Sequence, residues 1–264
     1  MTNKEAALKY STGGKGKADM SALRLMVEAF LAGMFIALAG AASTIAAATV
    51  GSPSVAKLIT ALIFPAGLAM VILNGTELFT GNSLMIISLL DKKIKLTRVL
   101  RNWVIVYLGN FAGSVFVSAL CVYGHVYRLF DGAAGLSAGA AAAAKCSISF
   151  EDALFKGILC NILVCVAVMM TVMVENAVGK IIALFLPIMV FVICGFEHSV
   201  ANMSYISTGL FLKASGQLDP SIAADDLTLY GFLITNLIPV TLGNIIGGCL
   251  TGFAYWFTNI YRED

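Results

Sequence analysis

Two apolar runs in this chain are too long to cross a membrane as straight helices. They cover residues 58 to 90 and 181 to 212. At 1.5 Å per residue each would run about 50 Å, whereas the hydrocarbon core of a bilayer is about 30 Å thick. Each run is interrupted by the same polar pattern, G-x-E-x-x-x-x-N, once at Gly75 to Asn82 and once at Gly195 to Asn202. The pattern predicts two broken helices, because glycine frees the backbone and asparagine favours a helix end.

The composition places the chain in the membrane. Of its 264 residues, 59% are hydrophobic and 12% are charged, about half the charged share of soluble domains. The net charge of +2 and the lack of a basic run interleaved with aromatics argue against a nucleic-acid partner. The six cysteines form neither a C-x-x-C pair nor a metal-ligand cluster, and no hydrolase or nucleotide motif is present. We therefore expect no metal, no cofactor and no enzymatic activity.

Four further apolar segments are long enough to cross the bilayer once, at about 25 to 48, 103 to 127, 153 to 174 and 229 to 258. With the two broken helices in second and fifth place, they predict an all-α integral membrane protein of six spans. The channel domain is predicted at 25–258. A polar tail is expected at 1–24 and another at 259–264.

The lysines and arginines favour cytoplasmic termini and a location in the cell membrane. Six spans place both termini on one side of the membrane, and cytoplasmic loops carry an excess of these residues. Of the 17 residues, five would lie outside: Lys57, Arg128, Lys145, Lys156 and Lys213. The other twelve would lie inside: Lys4, Lys9, Lys15, Lys17, Arg24, Lys92, Lys93, Lys95, Arg98, Arg101, Lys180 and Arg262.

The sequence repeats itself beyond the two breaks. Each break is preceded by an acidic residue followed by alanine, with a glycine four positions after the alanine. The two copies run from Glu28 to Gly33 and from Asp152 to Gly157. The motif L-G-N-x-x-G follows each break, as Leu108 to Gly113 and as Leu242 to Gly247. Each half, about 25–128 and 150–258, then has three spans, and an odd number inverts the second half. Inverted repeats place a transport site near the bilayer midplane.

The polar residues at the breaks indicate a transport site for a small anion. A charge near the bilayer centre costs roughly 2.5 to 3.5 kcal/mol on insertion scales, so it usually lines an interior pathway. Helix N-termini at a break attract anions. Glu77 and Glu197 are expected to accept the loop's own N–H groups. His198 is the candidate for protonating or stabilising the anion, because histidine changes charge near neutral pH.

Four segments resemble the formate/nitrite transporter family, whose members pass formate, nitrite or hydrosulfide. They are Glu77 to Asn82, Gly157 to Cys165, Gly195 to Met203 and Asn236 to Asn244. The resemblance covers nearly the whole chain. It implies an aquaporin-like fold and a homopentamer in which each subunit has its own pore, with a proton and a monovalent anion as the transported species.

The resemblance also implies roles for single residues. The central transport residues would be His198, Thr80, Asn161, Asn202 and Glu197. The inner constriction would be formed by Phe64 and Leu68, and the outer one by Leu78, Val164 and Phe191. Lys145 and Lys156 would attract anions at the outer side.

The choice of anion depends on short stretches of sequence. Gly75-Thr76-Glu77-Leu78 departs from the G-A-D-L form of formate channels, whereas Asn236 to Gly248 is closer to the formate channels than to the nitrite channels. Formate is therefore the first choice, with nitrite and hydrosulfide as alternatives. A neutral-solute pore of the aquaporin kind would carry paired N-P-A loops. The corresponding positions here read Asn82-Ser83 and Asn202-Met203.

Overall fold

A computed structural model describes residues 1–261, and every regular element in this range is helical. Short 3₁₀ turns at Ser83–Met85 and Val126–Arg128 and a π-helical stretch at Gly231–Leu237 join the α-helices. The α-helices are α1 (Asn3–Asp19), α2 (Ala22–Ala47), α3 (Pro53–Ile63), α4 (Pro65–Asn74), α5 (Phe79–Asn82), α6 (Ile86–Leu90), α7 (Leu96–Tyr123), α8 (Ala133–Cys146), α9 (Phe150–Val172), α10 (Ala177–Ile193), α11 (Ser199–Ala214) and α12 (Ile238–Asn259).

Five helical stretches are long and apolar enough to cross a membrane: Ala22–Ala47, Pro53–Asn74, Leu96–Tyr123, Phe150–Val172 and Gly231–Asn259. The fifth predicted span is divided into α10 and α11, of 17 and 16 residues, so neither part reaches spanning length alone. The count of six therefore stays a prediction. The predicted C-terminal tail at 259–264, with Arg262, extends beyond the described residues.

Both predicted breaks are present. α4 ends at Asn74 and α5 begins at Phe79, while α10 ends at Ile193 and α11 begins at Ser199. Each break starts with a glycine in the left-handed region, Gly75 at φ 65° and Gly195 at φ 68°. A residue with a Cβ rarely adopts this conformation, so glycine is the sequence signal that permits the chain to leave the helix. The prediction of two discontinuous helices is confirmed.

We expect Gly75→Ala to lower the free energy of unfolding by about 1 to 2 kcal/mol, because the Cβ of alanine crowds the backbone in the left-handed conformation. Nothing lies within 4 Å of a Cβ at this position, so the loss is conformational rather than steric. Gly75→Asn should cost less, since asparagine tolerates this region. Thermal unfolding in detergent measures the difference. Equal losses for the two substitutions would contradict this explanation.

The two halves repeat the same contacts around each break. Asn110 of α7 accepts the Phe79 N–H and donates to the carbonyls of Ala29 and Glu77, at 2.9, 2.8 and 2.9 Å. Asn244 of α12 accepts the Ser199 N–H and donates to the carbonyls of Gly157 and Glu197, at 2.9, 2.8 and 3.0 Å. Each asparagine ties one break to the two flanking helices. The internal repeat is therefore confirmed at the two breaks and at the two L-G-N-x-x-G motifs.

The acidic pattern that precedes each break does not repeat in the predicted register, and the match is wrong by about one helical turn. The sequence match pairs Glu28 with Asp152. In the structure, the Glu77 N–H donates to the Glu28 carbonyl and the Glu197 N–H donates to the Lys156 carbonyl, so Glu28 corresponds to Lys156. Residues four positions apart lie on the same face of a helix. Asp152 and Lys156 therefore face the same neighbours, and residue type alone selected the wrong one of the two.

Two segments differ from expectation. The N-terminal tail forms α1, which begins with a capping box of Thr2 and Glu5 and packs its buried Tyr10 against the core. The connection between the third and fourth predicted spans, which was assigned no helix, contains α8, and Cys146 is buried at the end of that helix. Both helices are rich in alanine or lysine, which favour helix, and tertiary packing fixes them.

Candidate functional site

The two breaks meet at a single side-chain contact. Thr80 Oγ1 lies 2.9 Å from His198 Nε2, and both side chains are buried. Thr80 is in the first turn of α5, and His198 is the residue that caps α11. The contact therefore joins the two halves of the repeat at their polar interruptions, where the sequence predicted the transport site.

The hydrogen bonds of His198 assign the proton on its ring. Nδ1 accepts the Ala201 N–H at 3.1 Å, so it carries no hydrogen of its own. The ring hydrogen is then on Nε2 and is donated to Thr80 Oγ1. Thr80 keeps its own hydroxyl hydrogen free to donate to a third group. His198 therefore caps α11, and Asn202 lies in the first turn of that helix.

A cavity of about 380 Å³ opens on the side away from α1, and we call it the outer cavity after the orientation predicted from the lysines and arginines. It is lined by the second break, including Glu197 and His198, and by Lys145 at the end of α8. The Lys145 Nζ lies 2.8 and 3.0 Å from the two carboxylate oxygens of Glu197. Asn202 donates to Glu197 at 2.6 Å and to Asn236 at 2.9 Å. Within residues 1–261 the Glu197 carboxylate accepts from the side chains of Lys145 and Asn202 and from no N–H of its own loop, so the expectation that it binds the loop backbone is wrong.

An inner cavity of about 400 Å³ lies on the opposite side and carries a matching network. The Lys17 Nζ of α1 lies 2.7 Å from Glu77 Oε1. Asn82 donates to Glu77 at 2.6 Å and to Asn102 at 2.9 Å. The first break lines this inner cavity, whereas the second break lines the outer one. This arrangement is what an inverted repeat produces.

Lys17 is the residue of this network that sequence analysis missed as a site residue. It was assigned to the tail because four lysines precede the first span and nothing distinguishes one from another. The signal that identifies it is three-dimensional: α1 folds back so that Lys17 meets Glu77, and Tyr10 of the same helix donates to the Gly81 carbonyl at 3.0 Å. Burial raises the pKa of the Tyr10 hydroxyl well above its usual range, so this donor keeps its hydrogen.

We expect Lys17→Met to detach α1 from the inner cavity. The substitution removes the cation from the buried Glu77 carboxylate, and truncating one partner of a buried pair is strongly destabilising. The measurable result is faster proteolysis within residues 3–19, at unchanged proteolysis of the transmembrane helices. Lys15→Met is the matched control, since Lys15 pairs with Asp19 at an exposed position. Equal proteolysis of the two variants would count against the contact as the anchor of α1.

The structure regroups the residues of the two predicted constrictions. Phe64 was expected on the inner side, but it lines the outer cavity with Phe191, their ring centroids 5.7 Å apart and nearly perpendicular. Leu78 was expected on the outer side, but it lines the inner cavity with Leu68. The prediction took the two sides from the motif positions of the family, whereas in the structure the cavities divide between Phe64 and Leu68. Val164 is buried in α9.

Of the two remaining predicted site residues, Asn161 contacts the site and the side chain of Lys156 lies outside it. Asn161 is buried in α9 and donates to the carbonyls of Thr80 and Asn244, at 3.2 and 2.6 Å. Lys156 lines neither cavity; its Nζ lies 3.6 Å from Asp152 on the surface of the same helix. The Lys156 contribution to the site is its backbone carbonyl, which accepts the Glu197 N–H.

Four buried side-chain atoms within residues 1–261 have no hydrogen-bond partner, and two of them belong to the site. They are Asn161 Oδ1 and Asn202 Oδ1. Each amide uses its N–H₂ group to bind protein and leaves its oxygen unmatched. Buried acceptors normally have a partner. Asn202 lines the outer cavity, so a donor that enters there can reach its oxygen, whereas Asn161 lines neither cavity.

The chain matches the model of a known family and several curated proteins. The family model described as "Formate/nitrite transporter" matches residues 4–257. The "Formate channel FocA" of Haemophilus influenzae is 38% identical, over 93% of this chain and 90% of that protein. The "Probable formate transporter" of Methanothermobacter thermautotrophicus is 36% identical, over 92% of this chain and 91% of its own length.

Solved structures agree with the sequence comparison. An "FNT family ion channel" superposes with a TM-score of 0.85 and 30% identity, covering 96% of this chain and 98% of that one. A "Pentameric formate channel with formate bound" gives a TM-score of 0.79 and 33% identity, covering 91% of this chain and 98% of that one. These relatives are named as channels or transporters, not enzymes. With its apolar helices and its two matching breaks, this membrane protein belongs to the formate/nitrite transporter family.

Proposed function

We propose that the protein conducts small monovalent anions of weak acids across the cell membrane, and that formate is its main substrate. The observation that carries the proposal is the buried contact between Thr80 and His198. His198 lines the outer cavity, and Thr80 is next in sequence to Gly81, which lines the inner one. The relatives named as formate channels support the choice of anion. The family also includes nitrite transporters, so nitrite and hydrosulfide are the alternatives.

Entry of the anion is opposed by the apolar rings on either side of the contact. Desolvating a charge is costly, so an apolar constriction excludes a bare anion. We assign the outer constriction to Phe64 and Phe191 and the inner one to Leu68 and Leu78, because these side chains line the outer and inner cavities respectively. Val164 is buried and lines neither cavity.

The site stabilises the negative charge of the anion with hydrogen-bond donors and a helix dipole rather than with a charged side chain. The N-terminus of α11 directs its positive dipole end toward the junction of the breaks. With His198 donating to Thr80, the threonine hydroxyl hydrogen is free to bind an anionic oxygen. When the substrate carries a proton, its O–H group can donate to the unpartnered oxygen of Asn202. The site thereby suits both protonation states of a weak acid.

His198 acts here chiefly as a hydrogen-bond relay. Its Nδ1 is occupied by the Ala201 N–H, so adding a second proton to the ring would break the cap of α11. The proton that accompanies the anion is then more readily supplied by water in a vestibule than by the imidazole. Transfer of a proton from His198 itself is the competing mechanism, and substitution at this position distinguishes the two.

We further propose a homopentamer with one pore per subunit, six spans and cytoplasmic termini. The pentameric state is supported by the solved relative that is named as pentameric. The orientation is supported by the excess of lysine and arginine on the side of α1. One channel domain at 25–258, flanked by the segments 1–24 and 259–264, completes the arrangement.

Uptake into proteoliposomes tests the proposed substrate. Formate, nitrite and hydrosulfide are supplied separately at equal concentration, at pH 5.5 and 7.5, to vesicles with and without the protein. We expect protein-dependent uptake of all three to be measurable and that of formate to be fastest. Faster uptake of nitrite or hydrosulfide would reassign the substrate within the family. Permeation of a neutral solute without any of the anions would overturn the proposal.

A further inference from the structure

The lysine expected to attract anions is already neutralised. Lys145 is bound by both oxygens of the Glu197 carboxylate, and its side chain is only 18% exposed. In the inner cavity Lys17 is paired with one oxygen of the Glu77 carboxylate and also donates to Asn82 Oδ1. At distances beyond a few ångströms an ion pair of this kind acts as a dipole, and its attraction for an anion falls off much faster than that of a free charge.

Each cavity also contains lysine that is not paired. Lys57 of α3 lines the outer cavity, whereas Lys180 of α10 and Lys9 of α1 line the inner one. Among residues 1–261, none of these three ammonium groups has a carboxylate within ion-pair distance or an acceptor within hydrogen-bond distance. Because Lys145 and Glu197 cancel, Lys57 supplies the net positive charge of the outer cavity.

Lys57 and Lys180 occupy positions at which a positive charge does not stabilise the helix. Lys57 is the fifth residue of α3 and Lys180 is the fourth residue of α10. Positive charge near a helix N-terminus opposes the helix dipole, which favours acidic residues there. The two lysines near the starts of α3 and α10 therefore gain no stabilisation from the helix dipole.

The Lys57 ammonium lies over the second break. Its Nζ is 3.9 Å from the point where a Cβ of Gly195 would stand. Gly195 has no side chain to cover the amine, and it begins the segment that carries Glu197 and His198. An anion attracted to Lys57 is therefore held at the mouth of the route that leads to His198.

We infer that Lys57 captures small carboxylate anions at the outer mouth and that Lys180 does so at the inner mouth, while Lys145 and Lys17 hold the breaks in shape. This inference rests on the proposed function. It assigns the attraction to free ammonium groups on α3 and α10, and it predicts an effect that salt can screen.

The test is formate permeability of proteoliposomes at low and high ionic strength, with potassium gluconate equal on both sides. At about 0.01 M salt the Debye length is about 30 Å, and at 1 M it is about 3 Å. We expect Lys57→Gln and Lys180→Gln each to lower permeability about two- to threefold at low salt, and the double variant to show the product. All variants should converge with the wild type at 1 M salt. Lys57→Arg should match the wild type throughout.

Lys4→Gln is the control for a general change of protein charge, since Lys4 is exposed and lines neither cavity. A Lys57→Gln permeability equal to that of Lys4→Gln at low salt would overturn the inference and leave formate conduction intact. A loss that persists at 1 M salt would also overturn it, because it would indicate a structural role. A wild-type protein that conducts no anion would overturn the proposed function and, with it, this inference.

Discussion

His198→Phe is expected to reduce formate flux about 10- to 100-fold between pH 5 and 8. Phenylalanine keeps an aromatic ring beside Phe191, whose centroid lies 5.9 Å from that of the imidazole. It removes both hydrogen bonds of the ring, so Thr80 loses its donor and α11 loses its cap. A hydrogen bond to a charged group contributes about 1.5 to 3 kcal/mol, which corresponds to this range of rates. Stopped-flow uptake into proteoliposomes measures it.

His198→Asn separates the relay from proton transfer. An asparagine oxygen can accept the Ala201 N–H, because asparagine is a good N-cap residue, and its N–H₂ group can point toward Thr80. It does not titrate. We expect it to retain a flux within about fivefold of the wild type, with the same dependence on pH. An asparagine variant as inactive as the phenylalanine variant would favour proton transfer by the imidazole. A fully active phenylalanine variant would rule out both mechanisms.

Lys145→Met is expected to destabilise the folded protein by about 3 to 5 kcal/mol, the cost of leaving one member of a buried ion pair unpaired. The side chains of Lys145 and Glu197 are 18% and 10% exposed, so solvent compensates little of the loss. The remaining donor to Glu197 is the amide of Asn202. Thermal unfolding in detergent should show a marked decrease in midpoint, and formate flux should fall because the outer cavity loses its shape.

The double variant Lys145→Met with Glu197→Gln distinguishes a structural pair from an anion-binding lysine. Removing both charges eliminates the unpaired carboxylate, and glutamine still accepts from Asn202. We expect the double variant to recover most of the stability lost in the single variant. Because Lys57 is unchanged, formate flux should recover with it. A stable double variant with no flux would show that the Lys145 charge itself takes part in transport.

The breaks could be predicted from sequence because they combine three independent signals. Apolar runs over 30 residues long exceed the bilayer, glycine permits the left-handed turn, and the charged residues are excluded from lipid. All three are properties of a local segment. The same applies to Asn110 and Asn244, whose motif recurs without a gap and whose side chains make the same three hydrogen bonds.

The depth of a residue in the membrane could not be predicted in the same way. Phe64 and Leu68 are one helical turn apart, yet one lines the outer cavity and the other the inner. The boundary between the cavities falls between them because Phe191 of the other half packs against Phe64. Lys17 illustrates the same limit, since its partner Glu77 is 60 residues away and only the docking of α1 brings them together.

A structure of the protein in lipid nanodiscs, determined with and without saturating formate, tests the central claim most directly. The claim is that formate crosses inside each subunit past Thr80 and His198. The account predicts added density within hydrogen-bond distance of Thr80 Oγ1, equivalent in all subunits, in a preparation whose formate flux has been measured. Density on the central axis between subunits, or an unchanged Thr80 site in a conducting preparation, would contradict it.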